Sequence, residues 1–171
     1  MPLFMIKNYF SLIKFSHTIF AMPFAVIGFF LGVSSPLAPE RGSGGEVDLK
    51  LFGLVILCMV FARSAAMAFN RWTDKKFDSE NIRTKIREIP RGIISPNNAL
   101  FFVIANCILF IIATYFINRI CFYLSPVALA VILGYSYTKR FTPLCHLILG
   151  LGLSLAPIGA FLAVTGEFRL F

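Results

Sequence analysis

Apolar residues occur along this chain in five long blocks: Phe15–Val33, Leu51–Phe69, Ala99–Ile117, Cys121–Thr138 and Leu144–Gly166. Each is close to or above the ~18 residues that carry a helix across a bilayer. They lack the alternation of apolar and polar positions that marks the other lipid-compatible architecture, a closed barrel. The pattern predicts an all-α membrane protein of about five transmembrane helices. Its gaps are unequal. Ser34–Lys50 is rich in Gly, Ser and Pro and reads as a connector, whereas little more than Asn118-Arg119-Ile120 joins the third and fourth blocks, which makes them a tight antiparallel hairpin. Asn70–Asn98 is long and charged, and Ser95 or Asn97 is placed to cap the third span. Pro23, Pro126 and Pro157 fall inside spans, and Gly150, Gly152, Ala156 and Gly159 give the fifth a small-residue surface suited to close packing.

Composition agrees. Of 171 residues 58% are hydrophobic, 20 are Phe, and only 14% are charged, against ~25% in soluble domains. The formal charge of +8 would raise nucleic acid as a partner of a soluble chain. Its distribution points instead to a lipid bilayer and no nucleic acid. Lys7 and Lys14, the seven cations between Asn70 and Asn98, and Lys139 with Arg140 fall on one side if every block crosses once. Arg41, Lys50, Arg119 and Arg169 fall opposite. The positive-inside rule puts the N-terminus, the Asn70–Asn98 loop and the Lys139 loop in the cytoplasm, and five crossings put the C-terminus outside. Cys58, Cys107, Cys121 and Cys145 have neither metal-ligand nor redox spacing. The first block is too long for a cleaved signal peptide.

The polar residues that interrupt this picture carry the candidate chemistry. Asn70, Asp74 and Asp78 stand at steps of four where the second block ends, with Arg63 seven residues upstream; at ~100° per residue they occupy roughly 80° of one helical face. Two readings stand. The carboxylates pair with Arg71, Lys75 or Arg83 at a helix end reaching water, or Asn70, Asp74 and Asp78 bind Mg²⁺, which takes one or two carboxylates and shares its shell with water and phosphates. Arg83, Arg87 and Arg91 recur every four residues; on a helix they form a stripe able to grip a diphosphate, and otherwise they are the positive-inside signal. Tyr135 and Lys139 share a face at the same side of the membrane. They either stabilise a leaving diphosphate or are a belt tyrosine and a snorkelling lysine. Arg63, inside the second span, needs an anion: Asp74 or Glu88 within the chain, or a substrate carboxylate. Lys14 and His17, at the start of the first span, are weaker signals, and His17 reads as a polar packing residue.

With these residues in view, the chain resembles the UbiA superfamily of intramembrane prenyltransferases over nearly its whole length, and most of all the 4-hydroxybenzoate polyprenyltransferase branch and its menaquinone-pathway relatives. The resemblance rests on residues 13–24, on Arg63 through Asp78, on Arg87-Glu-Ile-Pro-Arg-Gly92, and on residues 135–146. The family motif N-x-x-x-D-x-x-x-D matches at Asn70, Asp74 and Asp78, and Y-x-x-x-K at Tyr135 and Lys139. The resemblance implies a Mg²⁺ cofactor bound by the aspartates, a polyprenyl diphosphate donor, and an aromatic carboxylic acid acceptor, 4-hydroxybenzoate or a dihydroxynaphthoate, with Arg63 on its carboxylate. It also implies an integral protein of the bacterial inner membrane.

The sequence departs from the family in one respect. After Asp78 it has no aspartate, and after Glu88 its only carboxylate side chain is Glu167, so the family's second aspartate-rich motif is missing. Residues 1–171 are therefore expected to be the N-terminal part of a UbiA-type bundle, from a fragment, a split gene or a frameshifted one, complemented by a C-terminal fragment. A small transporter using Arg63 and the aspartates, and a non-catalytic membrane subunit, are the readings from other classes. The carboxylates cluster at one end of a span, which favours a substrate site over a conduit. Membranes containing this chain alone, supplied with Mg²⁺, a polyprenyl diphosphate and 4-hydroxybenzoate, are expected to form no prenylated product; robust turnover measured by mass spectrometry refutes that expectation.

Overall fold

A computed structural model describes residues 2–37, 48–139, 141 and 145–167, excepting the side chains of residues 2–7, Phe15 and His17. Arg41, Arg140 and Arg169, and the side chains of Lys7 and His17, therefore lie outside the described residues, as does most of the Gly/Ser-rich connector. The described residues form helices α1 (Pro2–Ile13), α2 (Phe15–Val33), α3 (Leu49–Thr73), α4 (Lys75–Glu80), α5 (Pro96–Ile117), α6 (Arg119–Thr138) and α7 (Cys145–Thr165). The five apolar blocks become α2, α3, α5, α6 and α7. The last four of these are long and apolar enough to cross a membrane, and in α2, which has 19 residues, Thr18–Val33 is the apolar stretch among the described residues. The protein is an all-α integral membrane protein. The apolar blocks do not announce α1 and α4, which flank them at their polar ends.

Local chemistry sets the helix boundaries. Asp48 caps α3 by accepting from the backbone N–H groups of Lys50 and Leu51, and Ser95 caps α5 by accepting from Asn98, as its position predicts. Asn118 alone joins α5 to α6. Its Oδ1 accepts from Cys121 N at 2.7 Å and its Nδ2 donates to the Leu162 carbonyl of α7 at 2.8 Å, so one side chain caps one helix and ties the hairpin to a third.

The helices pair as α2–α3, α3–α5, α5–α6, α6–α7 and α7–α2, which closes a ring; α3 also touches α1, α6 and α7. Its apolar packing falls into three clusters. One joins α1, α3 and α5 around Leu12, Ala65, Ala68 and Val103. A second joins α2, α3 and α7 around Ala25, Phe29 and Ala160. The third joins α3, α5 and α6 around Cys58, Phe110 and Leu129.

Close packing against α7 comes from the opposite partner to the one expected. Gly150, Gly152 and Gly159 have open space where a Cβ would stand. The near approach is made by α2, where a Cβ on Gly28 would lie 2.3 Å from the Pro157 carbonyl oxygen and one on Gly32 2.9 Å from Val164 Cβ. Lipid provides no hydrophobic drive between spans, so this backbone approach supplies the dispersion contact that holds the α2–α7 pair.

Gly28→Ala is therefore expected to destabilise the bundle by about 1–3 kcal/mol, the cost of overpacking a site that cannot open. Gly53→Ala, where nothing stands within 4 Å, should leave stability unchanged or slightly raised. Unfolding in mixed micelles read by circular dichroism checks both, and equal midpoints for the two variants would contradict the packing argument.

Candidate active site

The end of α3 is built to be polar. Asp74 closes the helix and starts α4, yet the helical hydrogen bonds continue across the junction, from Asp74 N to Asn70 O at 3.1 Å and from Asp78 N to Asp74 O at 2.9 Å. The repeat of four thus survives the break. Asn70, Asp74 and Asp78 do not meet at one point, however. Asn70 Oδ1 and Asp74 Oδ2 both accept from the Lys139 ammonium of α6. Asp78 is buried, and both its carboxylate oxygens accept from Arg87 Nη1, at 2.9 and 2.8 Å. Among the described residues no group of three or more His, Cys, Asp or Glu side chains is placed to hold a metal ion. What does converge is an amide oxygen and a carboxylate oxygen on one cation. These are hard oxygen donors, and their number fits Mg²⁺, which completes its shell with water and substrate phosphate.

The arginine stripe does not form. Residues 81–95 are turns rather than helix. Pro90 has no backbone N–H to continue a helix, and Gly92 sits at φ +72°, a left-handed position suited to glycine. The three arginines diverge. Arg87 binds Asp78, Arg83 is exposed at a different cavity, and Arg91 is exposed and lines neither cavity described below. The turn segment is nonetheless fixed. Glu88 takes Arg71, the buried residue next to Asn70, and also accepts from the Ser11 hydroxyl of α1. Its backbone carbonyl accepts from Ile93 and Ile94, and Ile89 and Ile94 are buried beside Leu12, Ala65 and Ala99.

The partners expected for the carboxylates are thereby corrected. Lys139 and Arg87 fill the places given to Arg71, Lys75 and Arg83, while Lys75 lies over the Trp72 ring at 4.8 Å. Sequence spacing missed the Arg71–Glu88–Ser11 group, since three residues from α1, α3 and a loop share no period.

A cavity of about 600 Å³ runs inside the helix ring, lined by residues of α2, α3, α5, α6 and α7. Its walls are almost wholly apolar, and Gly152, Ala156 and Gly159 of α7 open it instead of packing a neighbour. Arg63, Asn70 and Tyr135 are among its few polar lining residues. Neither internal partner expected for Arg63 serves it: Asp74 is paired with Lys139 and Glu88 with Arg71. Arg63 Nε is buried without a hydrogen-bond partner among the described residues. A buried donor left unpaired is costly, and one on a guanidinium more so.

Removing one partner of the Arg71–Glu88 pair leaves a charge uncompensated, a loss of about 3–5 kcal/mol in buried pairs. Arg71→Met or Glu88→Gln should therefore raise deuterium uptake in residues 81–95, and the combined Arg71→Met, Glu88→Leu variant should be less damaged than either single variant. Unchanged exchange in that segment would show that the pair does not hold it.

The sequence matches the UbiA prenyltransferase family over residues 21–171. It is 33% identical over 125 residues to a 4-hydroxybenzoate octaprenyltransferase of Neisseria meningitidis serogroup B, covering 73% of this chain and 42% of that protein. The fold superposes on a UbiA homolog from Aeropyrum pernix K1 with a TM-score of 0.77 at 32% identity, covering 88% of this chain and 51% of that one. It also superposes on a UbiA homolog from Archaeoglobus fulgidus bound to GPP and Mg²⁺, with a TM-score of 0.70 at 21% identity, covering 94% of this chain and 55% of that one. The chain thus spans about half the length of the proteins it matches. By sequence over most of its length and by the arrangement of its helices, the chain belongs to the UbiA prenyltransferase family.

Proposed function

We propose that this chain contributes to the Mg²⁺-dependent transfer of a polyprenyl group from a polyprenyl diphosphate to an aromatic acid, with 4-hydroxybenzoate as acceptor. The observation that carries this reading is one apolar cavity with Arg63, Asn70 and Tyr135 in its lining, where Asn70 also belongs to the Lys139–Asp74 cluster. A donor of this class is an apolar tail ending in concentrated negative charge, and cavity and polar cluster have the matching division. The acceptor's carboxylate matches the buried, unpartnered Arg63 Nε. The name of the Neisseria relative supports the choice of acid.

In this reading the cavity walls shield the allylic cation from water as its C–O bond breaks and the diphosphate departs with the electron pair. Asn70 and Asp74, which already converge on Lys139, would hold Mg²⁺, joined by Asp78 once Arg87 leaves it, and the ion when bound supplies positive charge against the departing diphosphate. Lys139 and Arg87, each holding one of these aspartates, turn to the diphosphate oxygens when the donor enters. Every positive charge then keeps an anionic partner throughout. Tyr135 donates its hydroxyl to the same group, and Arg63 orients the acceptor so that a ring carbon attacks the cation and then loses its proton. Arg83 and Arg91 have no part in this scheme. The polar end of α3 faces the cytoplasm, following the charge bias of the loops. In this scheme residues 1–171 supply one carboxylate arm of the site.

Two measurements test the scheme. Combining Asp74→Asn with Asp78→Asn should weaken Mg²⁺-dependent binding of a labelled prenyl diphosphate about tenfold or more, and Arg63→Leu should spare donor binding while weakening 4-hydroxybenzoate about tenfold, each the loss of charged hydrogen bonds. Donor binding indifferent to Mg²⁺ and to the paired substitution would sink the metal assignment. Product analysis with 4-hydroxybenzoate and a dihydroxynaphthoate, in membranes also supplied with the C-terminal half of a relative, identifies the acceptor.

A further inference from the structure

A second cavity, of about 710 Å³, lies where α1 meets α2 under the turn segment 81–95. It shares no lining residue with the cavity inside the ring. Four cations, Lys14, Arg71, Arg83 and Arg87, line it against one carboxylate, Glu88. Arg71 is committed to Glu88 and Arg87 to Asp78. Lys14 and Arg83 make no side-chain ion pair or hydrogen bond among the described residues, so two positive charges remain uncompensated, with the exposed Ser16 beside them.

Their placement is built into the backbone. Lys14 is the one non-glycine residue of positive φ among the described residues, at φ 44° and ψ 64°. A left-handed lysine is held against its intrinsic preference, here by burial of Leu12 and Ile13 just before it and by its N–H bond to Ser11 O at 3.2 Å. Arg83 is fixed by its backbone N–H to Asn81 Oδ1 at 2.9 Å.

The surroundings select among anions. Lys14 immediately precedes α2, the first of the apolar blocks, and Ser16 lies in its first turn, which sets both near the membrane boundary if that block is a span. The cavity's lining includes two outward apolar side chains, Phe10 at 47% and Ile86 at 68% exposure. A water-soluble anion has no use for that rim, whereas an acyl chain does.

We propose that this cavity binds the phosphate of an anionic phospholipid headgroup, with Lys14 and Arg83 as the cations that hold it and Phe10 and Ile86 against its chains. Arginine offers paired donors to phosphate oxygens and lysine a compact charge. A lipid seated there bridges α1, α2 and the turn segment, whose residues line the cavity. This assignment stands whether or not the proposed catalytic reading holds, because it uses neither the ring cavity nor a metal.

The test uses the whole chain in nanodiscs of phosphatidylcholine with or without phosphatidylglycerol, and native mass spectrometry of the lipid retained on detergent release. The chain should retain phosphatidylglycerol in preference to phosphatidylcholine and should be stabilised by it thermally. Lys14→Asn with Arg83→Gln should lower retention about thirtyfold, since each basic residue near an anionic surface contributes roughly a fivefold factor. Asparagine tolerates the left-handed backbone, so the joint is kept. Arg83→Gln alone, with an unchanged melting temperature in pure phosphatidylcholine, separates charge loss from misfolding and should lower retention by a smaller factor. Equal retention of both lipids, retention unaffected by either variant, or stabilisation by inorganic phosphate in place of phosphatidylglycerol would each overturn the proposal.

Discussion

Charge neutralisation at the polar end of α3 is the constraint on which this arrangement depends. Asp74, Asp78 and Glu88 lie where a membrane helix emerges, each largely removed from water, and each is matched by a different cation: Lys139, Arg87 and Arg71. A carboxylate in that setting is expensive unless paired. Because the three cations come from α6, from the turn segment and from α3 itself, satisfying the carboxylates also fixes where those elements sit. Ser11 extends the network to α1. Docking of the non-spanning parts is thus a consequence of electrostatics, with Ile89 and Ile94 adding apolar contact beneath.

Away from that end the bundle is held by fit. Glycines of α2 let it approach α7 at Pro157 and Val164, and Asn118 ties the α5–α6 hairpin to the α7 carbonyls. The ring closes at its circumference while its centre stays open. Small residues face inward from α3 and α7, including Ala62, Ala66, Gly152 and Gly159. Removing side-chain volume from facing helices leaves a void that a flexible apolar chain can occupy. The two features belong together, since a rigid rim keeps the void from collapsing when it is empty.

The two cavities divide the cationic residues. Arg63 belongs to the apolar one, and Lys14 and Arg83 to the other, which Arg87 also lines while its guanidinium reaches Asp78. A four-residue repeat of arginines therefore serves separate surfaces once the chain turns. The turns that follow α4 part Arg83 from Arg87, and Pro90 with Gly92 keeps a helix from running on to Arg91.

The sequence by itself determined the membrane class, the five apolar helices, the tight hairpin near Asn118 and the family motifs, because each is written in local composition or in spacing along one helix; the structure chose Ser95 over Asn97 as the cap and reduced the hairpin link to Asn118. It also determined that Asn70, Asp74 and Asp78 recur on one side, since the helical repeat continues through Asp74. Only the tertiary structure decided who neutralises them. Lys139 is 65 residues from Asp74 in sequence, and Arg87 reaches Asp78 across a turn with no fixed period. It likewise decided that α2 rather than α7 supplies the close-packed glycines and that Arg63 Nε has no hydrogen-bond partner among the described residues. Pairings between elements depend on how helices are brought together, and periodicity within one helix carries no information about that.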